Sequence, residues 1–225
     1  MLAASVAIGI SYLIGSLPLA LLAGRLRGID LRAYGSGNPG ASNVWQSVSH
    51  ALVVPVGLAQ VGQGLAGVYI ARALGGGDGV RVAAGLAAIV AYDWNPWLQL
   101  RGGRGIGPSI GFLLALAPWT ALPAFIVIAV AGMPFNQSPL SVALALVIAP
   151  IAAAAGGEHA AIVTGCVMVT GVALVKRVLA NGRPATELAR PAVWFTRLLH
   201  DRDIADREAW IHRGMAAARG ASQHR

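Results

Sequence analysis

The sequence predicts an all-α integral membrane protein with about seven transmembrane helices, its N-terminus outside and its C-terminus cytoplasmic. Three observations lead there. Hydrophobic residues make up 56% of the 225 residues and charged residues only 12%, against roughly 25% charged in an ordinary soluble domain. Long uncharged runs recur along the chain, separated by Gly, Pro, Asn or clustered charges. Most of the basic residues flank these runs rather than lie within them.

The first run, Leu2 to Gly24, carries no charge, and at ~1.5 Å per residue it is long enough for a hydrocarbon core of roughly 30 Å. A cleaved leader needs a basic n-region. Met1-Leu2-Ala3-Ala4 has none, so a retained helix is expected. Further apolar runs cover about 51–73, 79–100, 106–118, 119–133, 138–156 and 159–176. The break between 106–118 and 119–133 rests on Pro118-Trp119 and leaves two helices shorter than the usual ~20 residues, expected to be tilted, kinked or re-entrant. Joining them gives a six-helix alternative.

Counting cations chooses between the two. With seven helices, Arg25, Arg27, Arg32, Arg101, Arg104, Lys176, Arg177 and Arg183 share one side and only Arg72 and Arg81 the other. Cytoplasmic loops carry the excess of Lys and Arg, which sets the orientation. The net charge of +8 is therefore read as membrane anchoring. Nucleic-acid binding is not expected, because the cations form no stripe with interleaved aromatics. Cys166 is the single cysteine, which excludes an intrachain disulfide and a Cys-based metal site. No His, Asp, Glu or Cys spacing calls for a metal or a cofactor.

Beyond Pro184 charges become frequent, marking 185–225 as a cytoplasmic tail. Its segment Pro191 to His200 interleaves Val193, Trp194, Phe195, Leu198 and Leu199 with Arg197. Such a pattern suits an amphipathic helix at the membrane interface or one packed on the bundle. The last stretch, from Met215, is expected to fray.

Two polar loops fall on the predicted cytoplasmic face. In Gly35-Ser36-Gly37-Asn38-Pro39-Gly40-Ala41-Ser42-Asn43, glycines allow close backbone approach, so that N–H groups can converge on an anion. Ser36, Asn38, Ser42 and Asn43 add side-chain donors, and phosphate is the expected guest. In Arg101-Gly102-Gly103-Arg104-Gly105, guanidinium forks stand beside bare backbone at an expected helix N-terminus, again suited to phosphate.

With these segments, Asp30-Leu31-Arg32 and Trp94-Asn95-Pro96-Trp97-Leu98, the chain resembles the bacterial membrane acyltransferases that use acyl phosphate to acylate glycerol 3-phosphate. The resemblance covers about residues 1–184, a membrane acyltransferase-like domain, and leaves out the tail. It implies a multi-pass enzyme of the bacterial inner membrane, without a cofactor, that makes lysophosphatidic acid for phospholipid synthesis. Its partners would be glycerol 3-phosphate, acyl phosphate and the lipid bilayer. No motif fixes an oligomeric state. By the same resemblance Ser36 and Arg104 are the catalytic candidates. Gly35, Gly37, Asn38, Gly40, Ser42, Asn43, Arg101, Gly102, Gly103 and Gly105 would bind substrate phosphate. Ser138 and Ser141 match serines of the family but are read here as helix N-caps.

The chain also departs from the family pattern. Gln46 stands where a basic residue is common, Tyr92 where histidine is frequent, and Pro108 or Ser109 near a usual threonine. In the third motif Lys176 to Arg183 remains, but Gly171 and Leu174 replace a polar pair. These departures support an alternative, a non-catalytic or repurposed member that binds a phosphorylated lipid precursor. A transporter has less support, because few ionisable groups beyond Asp93 lie in the spans and transport pathways are usually marked by them. His159 is expected with Glu158 at the outer end, away from the first loop, and His50 nearer to it.

Overall fold

A computed structural model describes residues 1–34, 37–132, 134–135, 138–180 and 190–202. The described residues form helices and no strands. The apolar runs become α1 (Leu2–Gly15), α2 (Leu19–Arg25), α4 (Val53–Ala73), α5 (Asp78–Asp93), α6 (Ile106–Leu116), α7 (Ala121–Ala131), α8 (Ser138–Ala155) and α9 (Ala160–Leu179), with a short α3 (Ala41–Ser47) and a tail helix α10 (Arg190–His200). Among the described residues, four stretches are long and apolar enough to cross a membrane: Leu2–Arg25, Val53–Ala73, Ser138–Ala155 and Ala160–Leu179. The third run stops at Asp93, earlier than hydropathy indicated, because Asn95 and Pro96 turn the chain into a single 3-10 turn over Pro96–Leu98.

Hydropathy hides one break. The first stretch parts at Ser16, Leu17 and Pro18, where proline cannot donate a helical hydrogen bond. Carbonyls freed in apolar surroundings need partners within the protein. Gln63 Nε2 donates to the carbonyls of Ile14 (2.7 Å), Gly15 (3.2 Å) and Leu17 (3.0 Å), and Asn95 Nδ2 donates to that of Ser16 at 2.6 Å. Thus α4 and the end of α5 are pinned to the broken helix.

Small residues let the helices approach, as is common where no hydrophobic effect drives association within lipid. A Cβ on Gly15, Gly64 or Gly111 would run into the backbone of Ala88, Pro108 or Val61, drawing α1 onto α5 and α4 onto α6. Among the described residues one core gathers Ile89, Phe112, Leu113, Phe125, Leu146 and Cys166, so Cys166 is packed.

The bundle has two distinct ends. At one, His159 Nδ1 lies 2.7 Å from Asp78 Oδ2 and Thr120 Oγ1 donates to Glu158 at 2.8 Å, joining the starts of α5 and α9 to the α6–α7 turn. The two polar loops, the end of α9 and α10 lie at the other.

Candidate active site

Tyr92, in the last turn of α5, brings the two loops together. Its hydroxyl donates to the Pro39 carbonyl over a long 3.5 Å and stands 3.7 Å from the place of a Cβ on Gly40. On the other side its ring fills the space that a Gly103 side chain would take. The Arg101–Gly105 loop is stitched back onto α5 by N–H donation from Gly102 to Asp93 (3.1 Å) and from Gly103 to Tyr92 (3.2 Å). A Cβ on Gly102 would strike the Tyr92 carbonyl. Both glycines are therefore required by close approach. Just before them Gln99 (φ 53°) and Leu100 (φ 63°) adopt the left-handed conformation, a strained choice for side-chain-bearing residues that clusters at functional sites.

The first loop is held mainly by Asn43. This residue is fully buried, donates through Nδ2 to the carbonyls of Leu31 (2.9 Å) and Tyr34 (3.0 Å), and accepts from Ser47 Oγ at 3.0 Å. Both its donor hydrogens are thus committed to the protein's own backbone, and its part in an anion pocket is to fix the loop rather than to touch phosphate. Ser42 is exposed on α3, as is Gln46. Gly35 and Ser36 lie outside the described residues. Gly37 is left-handed, with φ 66°, and lines a cavity of about 340 Å³ with Asp30, Arg32, Leu98, Gln99 and Arg101. Arg101 and Arg104 therefore face different surroundings. Within the cavity wall Arg32 Nη2 is 2.6 Å from Asp30 Oδ2, and the guanidinium pulls the Asp30 carboxyl down to about 2.

Arg104 belongs to a cluster that sequence reasoning did not assemble. Its Nε is 2.8 Å from Asp201 Oδ1, and its Nη1 donates over 3.5 Å to the Lys176 carbonyl. Lys176 is fully buried, with Nζ 5.3 Å above the Trp94 ring. Asp93, also fully buried, feels the charges of Lys176, Arg104 and Asp201. Its carboxylate oxygens have no hydrogen-bond partner among the described residues, and a Cβ on Gly105 would come 2.9 Å from each. Gly105 is the left-handed N-cap of α6, so the positive end of that helix already faces a carboxylate. Arg177 ties the surroundings together, donating through Nη1 to the carbonyls of Pro139 (2.8 Å) and Leu198 (3.2 Å).

The remaining expectations fall outside this cluster. Ser141 Oγ donates to the carbonyls of Ala129 (2.9 Å) and Ser138 (3.1 Å), linking α8 to α7 instead of capping α8. His50 stacks on Trp45 with centroids 4.1 Å apart. Gly171 faces open space. Among the described residues no three His, Cys, Asp or Glu side chains gather as metal ligands.

A helical bundle with membrane-length apolar helices, whose glycine loops meet beside buried cations at one end, defines a multi-pass membrane protein with a polar, cation-bearing end. The family described as glycerol-3-phosphate acyltransferase matches residues 5–182, and this chain belongs to that family. Glycerol-3-phosphate acyltransferase 4 of Dehalococcoides mccartyi (strain CBDB1) is 33% identical over 214 residues, covering 92% of each chain. The glycerol-3-phosphate acyltransferase of Neisseria meningitidis serogroup C / serotype 2a (strain FAM18) is 40% identical over 152 residues, 65% of this chain and 76% of that one. In structure the chain is similar to PlsY (YgiH), an integral membrane glycerol 3-phosphate acyltransferase solved in its glycerol 3-phosphate form, with a TM-score of 0.72 and 22% identity over 77% of this chain and 88% of that one. At that identity the likeness concerns the fold.

Proposed function

We propose that this protein transfers an acyl group from acyl phosphate to the primary hydroxyl of glycerol 3-phosphate, giving lysophosphatidic acid and inorganic phosphate in phospholipid synthesis. The single observation that carries the reading is the convergence of the two glycine loops through Tyr92, next to the Arg104–Lys176 cluster. In the reaction the hydroxyl oxygen bonds to the acyl carbon while the anhydride bond to phosphate breaks, and the hydroxyl proton leaves with the released phosphate. Phosphate is a good leaving group, so the protein's task is to orient two anionic substrates and stabilise developing charge. Arg104 clamps a substrate phosphate, and Ser36 supplies a hydroxyl from the first loop. Arg101, Gly37, Asn38 and Gly40 shape the approach to it, and Gly102, Gly103 and Gly105 let the second loop close on α5. Residues 1–184 form the acyltransferase-like domain, crossing the bacterial inner membrane seven times with the N-terminus outside. Residues 185–225 form the cytoplasmic tail.

Purified protein given acyl phosphate and glycerol 3-phosphate should release phosphate and lysophosphatidate. Arg104→Ala should lower kcat by about 10²–10³, the range for loss of one preorganised donor to developing charge, with Ser36→Ala also impaired. Turnover equal to wild type in both variants counts against this assignment. The second reading, a binding member without catalysis, draws on Gln46, exposed on α3, and on Gly171 in open space. Binding of glycerol 3-phosphate with no product at any donor concentration would favour it.

A further inference from the structure

The family match ends at residue 182, yet the tail beyond it reaches the site. Three contacts place α10 at the end of the bundle. Val193 is fully buried. Arg197 Nη1 donates to the carbonyls of Val178 (3.0 Å) and Leu179 (3.2 Å), satisfying the last turn of α9, where carbonyls lack helical partners. Arg177 reaches the Leu198 carbonyl from the other side. At the end of α10 the chain turns sharply. Asp201 takes a left-handed φ of 53°, which Asp tolerates better than most residues, while its N–H donates to the Arg197 carbonyl at 2.8 Å. That turn brings the carboxylate to Arg104, with the two side chains only 15% and 25% exposed.

The contact is close but poorly aimed. Although Nε and Oδ1 are 2.8 Å apart, neither atom has a hydrogen-bond partner of acceptable geometry among the described residues. Arginine binds carboxylate or phosphate best through aligned, bidentate bonds, and this pair lacks them. The carboxylate is a neighbouring charge that an oxyanion with better alignment can displace. Three cations, Arg104, Lys176 and Arg177, share the cluster with the carboxylates of Asp93 and Asp201. Asp93 is locked inside the bundle, so the acidic partner that can leave is Asp201.

We propose that the tail carries an internal competitor for substrate: the Asp201 carboxylate occupies Arg104 in the free enzyme and yields to the phosphate of glycerol 3-phosphate. The tail thereby sets the substrate concentration at which the site fills. This inference rests on Arg104 as the phosphate clamp.

The test uses the full chain in lipid nanodiscs, with KM for glycerol 3-phosphate and the inhibition constant of inorganic phosphate as readouts. Asp201→Asn keeps the shape and the turn and removes the charge. It should lower both constants by about 2- to 5-fold, as expected for a partly exposed ion pair. Arg104→Gln should raise both and abolish the difference that Asp201→Asn makes. Amide exchange around residues 200–202 should quicken when glycerol 3-phosphate is added to wild type and not to Arg104→Gln. If Arg104→Gln raises KM while Asp201→Asn leaves it unchanged or raises it, the tail is no competitor, and Arg104 stands as the clamp. If Arg104→Gln leaves KM unchanged, the clamp assignment fails and the inference falls with it.

Discussion

Asn43 shows how a polar residue can serve a site without touching the substrate. Its buried amide ties the carbonyls of Leu31 and Tyr34 to the start of α3, so replacing it leaves the buried Leu31 carbonyl and the half-buried Tyr34 carbonyl short of a partner. Asn43→Ala should destabilise the protein by about 1–3 kcal/mol, the cost of stranding buried hydrogen-bonding groups. A lower thermal midpoint in detergent, restored little by Asn43→Asp because the carboxylate cannot donate, is the expected result. Unchanged stability with a raised KM would instead make Asn43 a phosphate donor. The commitment of those donors was not legible in the sequence. Residue type showed that position 43 can donate, whereas the acceptor depends on how residues 31–34 trace back over α3.

At the scale of elements, the sequence located most helices because hydropathy reports burial in lipid directly. The runs at 51–73, 138–156 and 159–176 fall close to α4, α8 and α9. It missed the break at Ser16–Pro18, where the flanking residues are as apolar as any span and the compensating Gln63 and Asn95 come from elsewhere in the chain. It read Lys176 and Arg177 as loop anchors, though both are buried in the last turn of α9. Charge at a helix end looks the same on paper whether it faces lipid headgroups or a neighbouring carboxylate. The opposite end offers a pH test of element pairing. His159 joins α9 to α5 through Asp78, and the neighbouring carboxylate raises its pKa above the usual 6.5. A raised pKa means the pairing stabilises fully below the unfolded value and is lost as pH rises through the folded one. Wild type should therefore melt above His159→Gln on the acid side of the histidine's titration, with the gap narrowing as the pH rises through it. A gap independent of pH would remove the ion pair as its source.

For the whole molecule, the arrangement of ends carries the strongest constraint. Asp78, Thr120, Glu158 and His159 meet at one end, while Pro39, Tyr92, Arg104, Lys176 and Asp201 meet at the other. Exposed tryptophans occur at both, Trp119 at the first and Trp45, Trp97 and Trp194 at the second, as expected of helices whose ends sit at the two membrane interfaces. The proposed orientation assigns the second end to the cytoplasm, where water-soluble glycerol 3-phosphate is met and where the excess of Arg and Lys belongs. Cysteine labelling decides it, since Cys166 is buried and contributes little background. Ala33 is exposed beside the first loop and Gly77 is exposed at the start of α5, with nothing near enough to Gly77 to hinder a side chain. In spheroplasts a membrane-impermeant maleimide should modify Gly77→Cys and spare Ala33→Cys, and inverted vesicles should reverse the pattern. Labelling of both positions from one side would mean that an even number of crossings separates them, whereas the opposite pattern would turn the site outward, away from its substrate.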